Sequence, residues 1–176
     1  MSFIEKKISG KRIYEGKILN LEVDEVVLPD GSVSSRECVR HHGGAAVLCV
    51  LDGKVLLVKQ FRYLYGKEIY EIPAGKLEKG ENPKDAAARE LREETGYVAN
   101  DLKPFLKIFP TPGYTDEIIH VYLAKCCGLG SQQLDKGEFL NVNLIKIEEV
   151  LKMIESGEIC DSKTVSAIYK YLYENK

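Results

Sequence analysis

Apolar and polar residues alternate from Lys17 to Val26, which predicts a strand with one buried face. Pro29-Asp30-Gly31 is a turn triplet, and Val33 to Val39 reads as the returning strand. Residues 1–41 therefore predict a small β-meander, with a second domain over 42–176 after the break at Gly43-Gly44. The apolar runs Ala45–Leu51 and Lys54–Gln60 flank Asp52-Gly53, a strong hairpin signal. Ile69–Ile72 is a short strand closed by Pro73. Residues 83–95 predict a helix: Asn82 can cap it, Pro83 suits its first position, and Gly96 lies just past its end. Strands follow at Phe105–Phe109, Ile118–Ala124 and Leu140–Ile145. Two helices close the chain, Ile147–Ser156 and Ser162–Tyr173, with apolar positions such as Val165, Ile168, Tyr169 and Leu172 three and four apart. Strands and helices do not alternate regularly. The pattern predicts an α+β fold with a mixed sheet between helices, rather than a doubly wound sheet.

Charge narrows the classes of function. The 176 residues hold 25 basic and 27 acidic side chains, a net charge of −2. That balance excludes a strongly basic nucleic-acid binder. The longest unbroken apolar run, Ala45–Leu51, is far short of the ~18 residues of a membrane span. Met1 to Lys7 has no apolar segment of the secretory kind, so a cytoplasmic protein is expected. The five cysteines (38, 49, 126, 127, 160) form no C-x-x-C pair and are expected as free thiols.

The informative stretch is Gly75-Lys76-Leu77-Glu78-Lys79-Gly80-Glu81, followed by Arg89-Glu90-Leu91-Arg92-Glu93-Glu94-Thr95-Gly96. A helix from Pro83 puts Glu90 and Glu94 on one face, about 6 Å apart. Glu93 lies within the same turn. Three carboxylates within five residues repel one another unless a cation relieves them. Mg²⁺ or Mn²⁺, hard ions that take oxygen ligands, would do so. A salt-bridged surface helix, with Arg89 and Arg92 pairing the glutamates, is the alternative on charge alone. The preceding strand and glycine-rich loop favour a site.

From Gly75 to Tyr97 the spacing of Gly75, Glu81, Arg89-Glu90-Leu91, Glu93-Glu94 and Gly96 resembles a complete Nudix box. Tyr97 stands where an aliphatic residue is usual. The resemblance implies the Nudix fold and a divalent cation, Mg²⁺ or Mn²⁺. It implies hydrolysis of a nucleoside diphosphate linked to another group. Glu90 and Glu94 would be metal ligands with the backbone carbonyl of Ala74. Arg89 would orient the glutamates, and Glu93 would bind a further ion or activate water.

Features outside the box resemble the ADP-ribose pyrophosphatase branch: Arg36-Glu37 in the meander, Gln60-Phe61-Arg62, Glu71-Ile72-Pro73-Ala74-Gly75, and Phe109 to Glu117 with Pro112 fifteen residues past Tyr97. That branch implies cleavage of ADP-ribose to AMP and ribose 5-phosphate. Arg36, Glu37, Arg62, Pro112, Gly113 and Glu117 would contact substrate, the arginines at phosphate and Glu117 at ribose hydroxyls. The resemblance implies a homodimer in which the meander lends Arg36 to the partner's site. Glu138 is the candidate general base or additional metal ligand, with Asp135 and Glu93 as alternatives. Tyr14, Tyr63, Tyr65 or Phe3 would stack on the base. Another nucleoside diphosphate sugar as substrate, or a sensor that binds ADP-ribose uncleaved, are the rival functions.

Overall fold

The computed structural model describes residues 3–175, apart from the side chains of 126–129. The chain divides into two units. The first runs to Gly43 and includes Phe109–Ile118; the second holds Gly44–Ile108 and the chain from Ile119 onward. The segment 109–118, read from the linear sequence as part of the second domain, thus groups with the first unit.

The first unit is an antiparallel sheet of β1 (Lys6–Glu15), β2 (Leu19–Val27) and β3 (Val33–His41), in that order. The expected turn joins β2 to β3: the Gly31 N–H donates to Leu28 O, and Asp30 accepts from Ser32. Gly31 has a positive φ that suits glycine. β1 carried no periodic signal because every one of its residues is exposed. With neither face covered, nothing favours apolar residues at alternate positions. Phe109–Ile118 is stitched to β3 by backbone bonds. The Val39 N–H donates to Tyr114 O (2.7 Å), and the Asp116 N–H donates to Val39 O (3.2 Å).

The second unit is a seven-stranded mixed sheet with helices on both faces. β4 (Gly44–Leu51) and β5 (Lys54–Arg62) form the central hairpin, followed by β6 (Lys67–Glu71) and β7 (Ala74–Lys76). α1 (Pro83–Thr95) leads to the long strands β8 (Tyr97–Ile108) and β9 (Ile119–Leu129). β10 (Leu140–Lys146), α2 (Ile147–Glu155) and α3 (Ser162–Glu174) complete it. The strand order is β10-β5-β4-β9-β8, with β6 on β5 and β7 on β4. The β4–β9 pairing is parallel. Asp52 and Gly53 both have positive φ, the conformation an Asp-Gly hairpin turn requires.

β4 is continuously apolar because both its faces are covered. Ala46 and Leu48 join Val150, Ile159 and Ile168 on the face of α2 and α3. Ala45, Val47 and Cys49 join Ala86, Ala87 and Leu91 of α1 on the other. β8 and β9 outrun their expected bounds; their register shifts at three places, including around Pro104, and this blurs the two-residue period. Cys38 and Cys160 are free thiols, but the buried Cys49 is disulfide-bonded. The expectation of free thiols throughout is therefore corrected, since spacing along the chain carries no information on pairing across the fold. Among the described residues no helix is long and apolar enough to cross a membrane.

Candidate active site

α1 carries the acidic cluster of the second unit, and its ends are set as the sequence predicts. Asn82 accepts the Lys84 N–H, Pro83 opens the helix, and the left-handed Gly96 closes it. Leu91, Ala86 and Ala87 dock on the sheet, which turns Glu90 and Glu94 toward β7. Glu94 is 6% exposed, and its carboxylate accepts the Ala74 N–H at 2.9 Å. Burial pushes the Glu94 carboxyl up to about 8; the Ala74 bond opposes this, while the charges of Glu90, Glu138 and Glu71 add to it. Burial likewise raises the Glu90 carboxyl. Gly75 lies against Glu90: a Cβ there would stand 2.0 Å from its carboxyl group.

Arg89 organises the outer half of the cluster. Its Nε and Nη2 donate to the two oxygens of Glu81, each at 3.0 Å. Nη1 donates to Glu90 (2.7 Å) and Glu93 (3.1 Å). The bidentate partner of the guanidinium is therefore Glu81, whose carboxyl Arg89 holds below the ordinary range. Glu81 in turn braces the loop by accepting the Glu78 N–H.

Glu138 precedes β10, after Gly137 with its positive φ. Glu138, and not Asp135, is among the leading charges acting on both Glu90 and Glu94. Arg62, at the end of β5, is held by Glu71: Nε donates at 2.5 Å and Nη2 at 2.9 Å. Glu71 is buried and also bonds Lys163 of α3. Neither Glu71 nor Lys163 was singled out from the sequence as a charged pair; they lie 92 residues apart, beyond any local pattern.

The remaining expected residues lie in the first unit. Arg36 pairs with Glu5 through Nε (3.0 Å) and Nη2 (2.5 Å). Glu37 is exposed on β3, opposite Val23. Pro112 and Gly113 belong to the segment stitched to β3, and Gly113 has open space around it. Glu117 is partly buried, 3.5 Å from His41 Nδ1. That nitrogen also accepts the Gly43 N–H. Of the aromatic candidates, Phe3, Tyr14, Tyr63 and Tyr65 are all exposed.

The donor chemistry of the second unit fits a hard divalent cation. Glu94 is a buried carboxyl with no cationic side chain bonded to it among the described residues, and the charges of Glu90 and Glu138 oppose its ionisation. Its ionised form is costly in this setting unless something positive joins it. Among the described residues no three acidic, imidazole or thiol groups stand at ligand spacing as they are. Glu90 and Glu93 turn to Arg89 instead.

Comparison with known proteins agrees with this geometry. The model of the NUDIX domain matches residues 40–166. That of the nucleoside diphosphate sugar hydrolase N-terminal domain matches residues 5–39. The ADP-ribose pyrophosphatase of Bacillus subtilis is 47% identical over 170 residues, covering 95% of this chain and 92% of that one. The methanol dehydrogenase activator of Bacillus methanolicus is 44% identical over 171 residues, covering 94% and 91%. A crystal structure of an ADP compounds hydrolase superposes with a TM-score of 0.84 at 18% identity, covering 98% of this chain and 95% of its own, and so shares the fold. With Arg89, Glu90, Glu93 and Glu94 gathered on one helix against Gly75, and relatives matched along nearly the whole length, the chain belongs to the Nudix family and is a Nudix hydrolase.

Proposed function

We propose that the protein hydrolyses the diphosphate of ADP-ribose to AMP and ribose 5-phosphate, with Mg²⁺ as its cation and Mn²⁺ as a substitute. The observation that carries this reading is the buried Glu94, with no cationic side chain bonded to it among the described residues, beside Glu90 and the Ala74 backbone. The relative named as an ADP-ribose pyrophosphatase supports the choice of substrate. Glu90, Glu94, the Ala74 carbonyl and Glu138 would hold the cation. When bound, the cation supplies neutralisation of diphosphate charge and acidifies water at the site.

The chain's own groups do the rest. Arg62 and Arg36 grip phosphate oxygens with planar, permanently charged forks. Glu117 accepts from the terminal ribose hydroxyls, Gly113 offers backbone to the same sugar, and Pro112 and Glu37 shape its surroundings. Glu138 takes a proton from the attacking water, with Glu93 or Asp135 as the alternative base. The water oxygen bonds to phosphorus as the bond from phosphorus to the bridging oxygen breaks. Arg89 keeps the glutamates apart and oriented.

The reading includes a cytoplasmic homodimer. β1 exposes Ile8, Ile13 and Tyr14 with neither of its faces covered, and a small sheet needs an apolar face packed on something to be stable. A second copy would cover it and receive Arg36 near its substrate. Light scattering should give twice the chain mass; a fully active monomer at micromolar concentration contradicts this.

The test of the activity is a panel of nucleoside diphosphate sugars with Mg²⁺, reading phosphate released after phosphatase treatment. ADP-ribose should be cleaved fastest. Faster cleavage of a GDP- or UDP-linked sugar moves the substrate assignment, and binding of ADP-ribose without cleavage makes the protein a sensor.

A further inference from the structure

The N-terminus of α3 grips the segment that leads into the acidic site. Asp161 caps the helix by accepting the Thr164 N–H at 3.0 Å. The Thr164 hydroxyl donates to Asp161 (2.6 Å) and accepts the Ile72 N–H (2.8 Å). Ile72 stands two residues before Ala74, whose own N–H goes to Glu94. One turn of α3 therefore fixes the backbone between β6 and β7.

Lys163 lies in the same turn and is 8% exposed. Its ammonium bonds Glu71 and Asp161, the latter at 3.0 Å. Burial alone would push Lys163 down, but the two carboxylates hold it above the ordinary lysine value, so it is cationic. Glu71 Oε2 receives both Lys163 and Arg62 Nη2, while Oε1 receives Arg62 Nε. Two cations and two carboxylates balance. The Nη1 end of Arg62 bonds nothing else among the described residues, and Glu94 is one of the charges that act on this guanidinium.

We propose that Lys163 is a positioning residue, which holds and neutralises Glu71 so that Arg62 keeps one end of its fork free for a diphosphate. Remove the ammonium and Arg62 becomes the main cation available to a buried carboxylate. The guanidinium is then drawn onto Glu71, and net negative charge accumulates where an anionic substrate must arrive. A lysine suits the inner place because its point charge can sit between Asp161 and Glu71. Arginine suits the outer place because its fork serves two partners at once. The inference rests on the reading of Arg62 as a phosphate contact.

The experiment compares wild type with Lys163→Met, Lys163→Arg and the double variant Glu71→Gln/Lys163→Met. Two readouts are taken at fixed Mg²⁺: KM and kcat for ADP-ribose, and calorimetric affinity for inorganic pyrophosphate. Lys163→Met should raise KM and weaken pyrophosphate binding by about tenfold while kcat changes little, and Lys163→Arg should recover most of the loss. If Lys163→Met proves unfolded, the double variant decides, since it removes a matched pair of charges. Positioning predicts that it binds pyrophosphate within a few-fold of wild type, because no buried carboxylate then draws Arg62 away from the substrate. Binding by the double variant as weak as the tenfold loss expected of Lys163→Met means that the lysine does not act by neutralising Glu71, and that result overturns the proposal. So does a folded Lys163→Met protein with unchanged KM and affinity, or a wild type that binds no pyrophosphate. Wild-type pyrophosphate binding without cleavage of ADP-ribose would instead overturn the substrate assignment and leave the affinity ratio to judge Lys163.

Discussion

The two units weight charge differently: the first relies mostly on exposed pairs around one buried carboxylate, Asp24, held by Lys7 and Arg40, and the second on buried groups. In the first, Arg12, Glu15, Glu22, Arg40 and Asp116 form a ladder of ion pairs along the sheet and its attached segment. Most of these groups face water, where salt screens them and side-chain entropy opposes them, so each pair contributes little. In the second, Lys163, Glu71 and Asp161 are withdrawn from solvent, and Glu94 is buried with no cation bonded to it among the described residues. Burial makes each of these groups consequential, because an unmatched charge there has no solvent to retreat to. The contrast separates what holds a sheet's shape from what prepares a site. Exposed pairs are replaceable, and buried ones commit the fold to a purpose.

The largest test of that contrast is Glu71→Ala. It leaves Lys163 and Arg62 facing each other without their shared carboxylate, and removing one partner of a buried pair costs about 3–5 kcal/mol. Urea unfolding should show a loss of that order; a change no larger than that of a surface variant would break the comparison. Next comes Glu94→Gln, which preserves size and removes a charge. Turnover should fall by about 10²-fold or more. Glu138→Gln should lower kcat strongly with KM little changed, and Asp135→Asn should do much less. Wild-type turnover by the Glu94 variant would remove the metal assignment.

A subtler effect follows from pH. The Glu94 carboxyl lies at about 8 in the metal-free protein, against roughly 4.3 in an unfolded chain. Between these values the folded state holds a proton that the unfolded state has released. Metal-free stability therefore declines as pH rises through that window and levels off above about 8. Divalent cation affinity should tighten over the same range, since the ligand must be deprotonated. Glu94→Gln should flatten both trends. Glu71 and Glu81, held below the ordinary range, act with the opposite sign: their stabilisation is lost only as pH falls below the usual carboxylate values. Titrating Mg²⁺ at several pH values, alongside thermal melts in chelator, checks both signs. The smallest expected effect is in the first unit, where Arg12→Ala should leave the melting temperature and the turnover of ADP-ribose within measurement error. A large loss there would show that the exposed ladder does more than align strands.

Local signals carried much of this architecture. The bounds of α1 follow from Asn82, Pro83 and Gly96, each of which acts on the chain within a few residues. The Asp52-Gly53 turn and the double-faced core strand β4 were legible for the same reason. The acidic site was legible because helical spacing alone brings Glu90, Glu93 and Glu94 together. What escaped was non-local or lacked a period. β1 has no buried face to select one. The segment 109–118 joins the first unit through Val39 and Asp116, about 75 residues apart. Lys163 carries no local signal of its own; only the packing of α3 sets it against Glu71.

Gly75 shows how empty space can be part of a site's specification. It has no positive φ, so its backbone would accept an ordinary side chain, and β7 needs no special flexibility there. What the position requires is the absence of one carbon atom, because Glu90 occupies the place where it would go. A methyl group at residue 75 carries no charge and donates no bond, yet it would evict a carboxylate from its seat. Because the atoms met are the end of a flexible side chain, the fold could accommodate the substitution, and its cost would fall on where the Glu90 carboxylate sits. A reader of sequence patterns who credits function only to reactive groups would pass over this glycine.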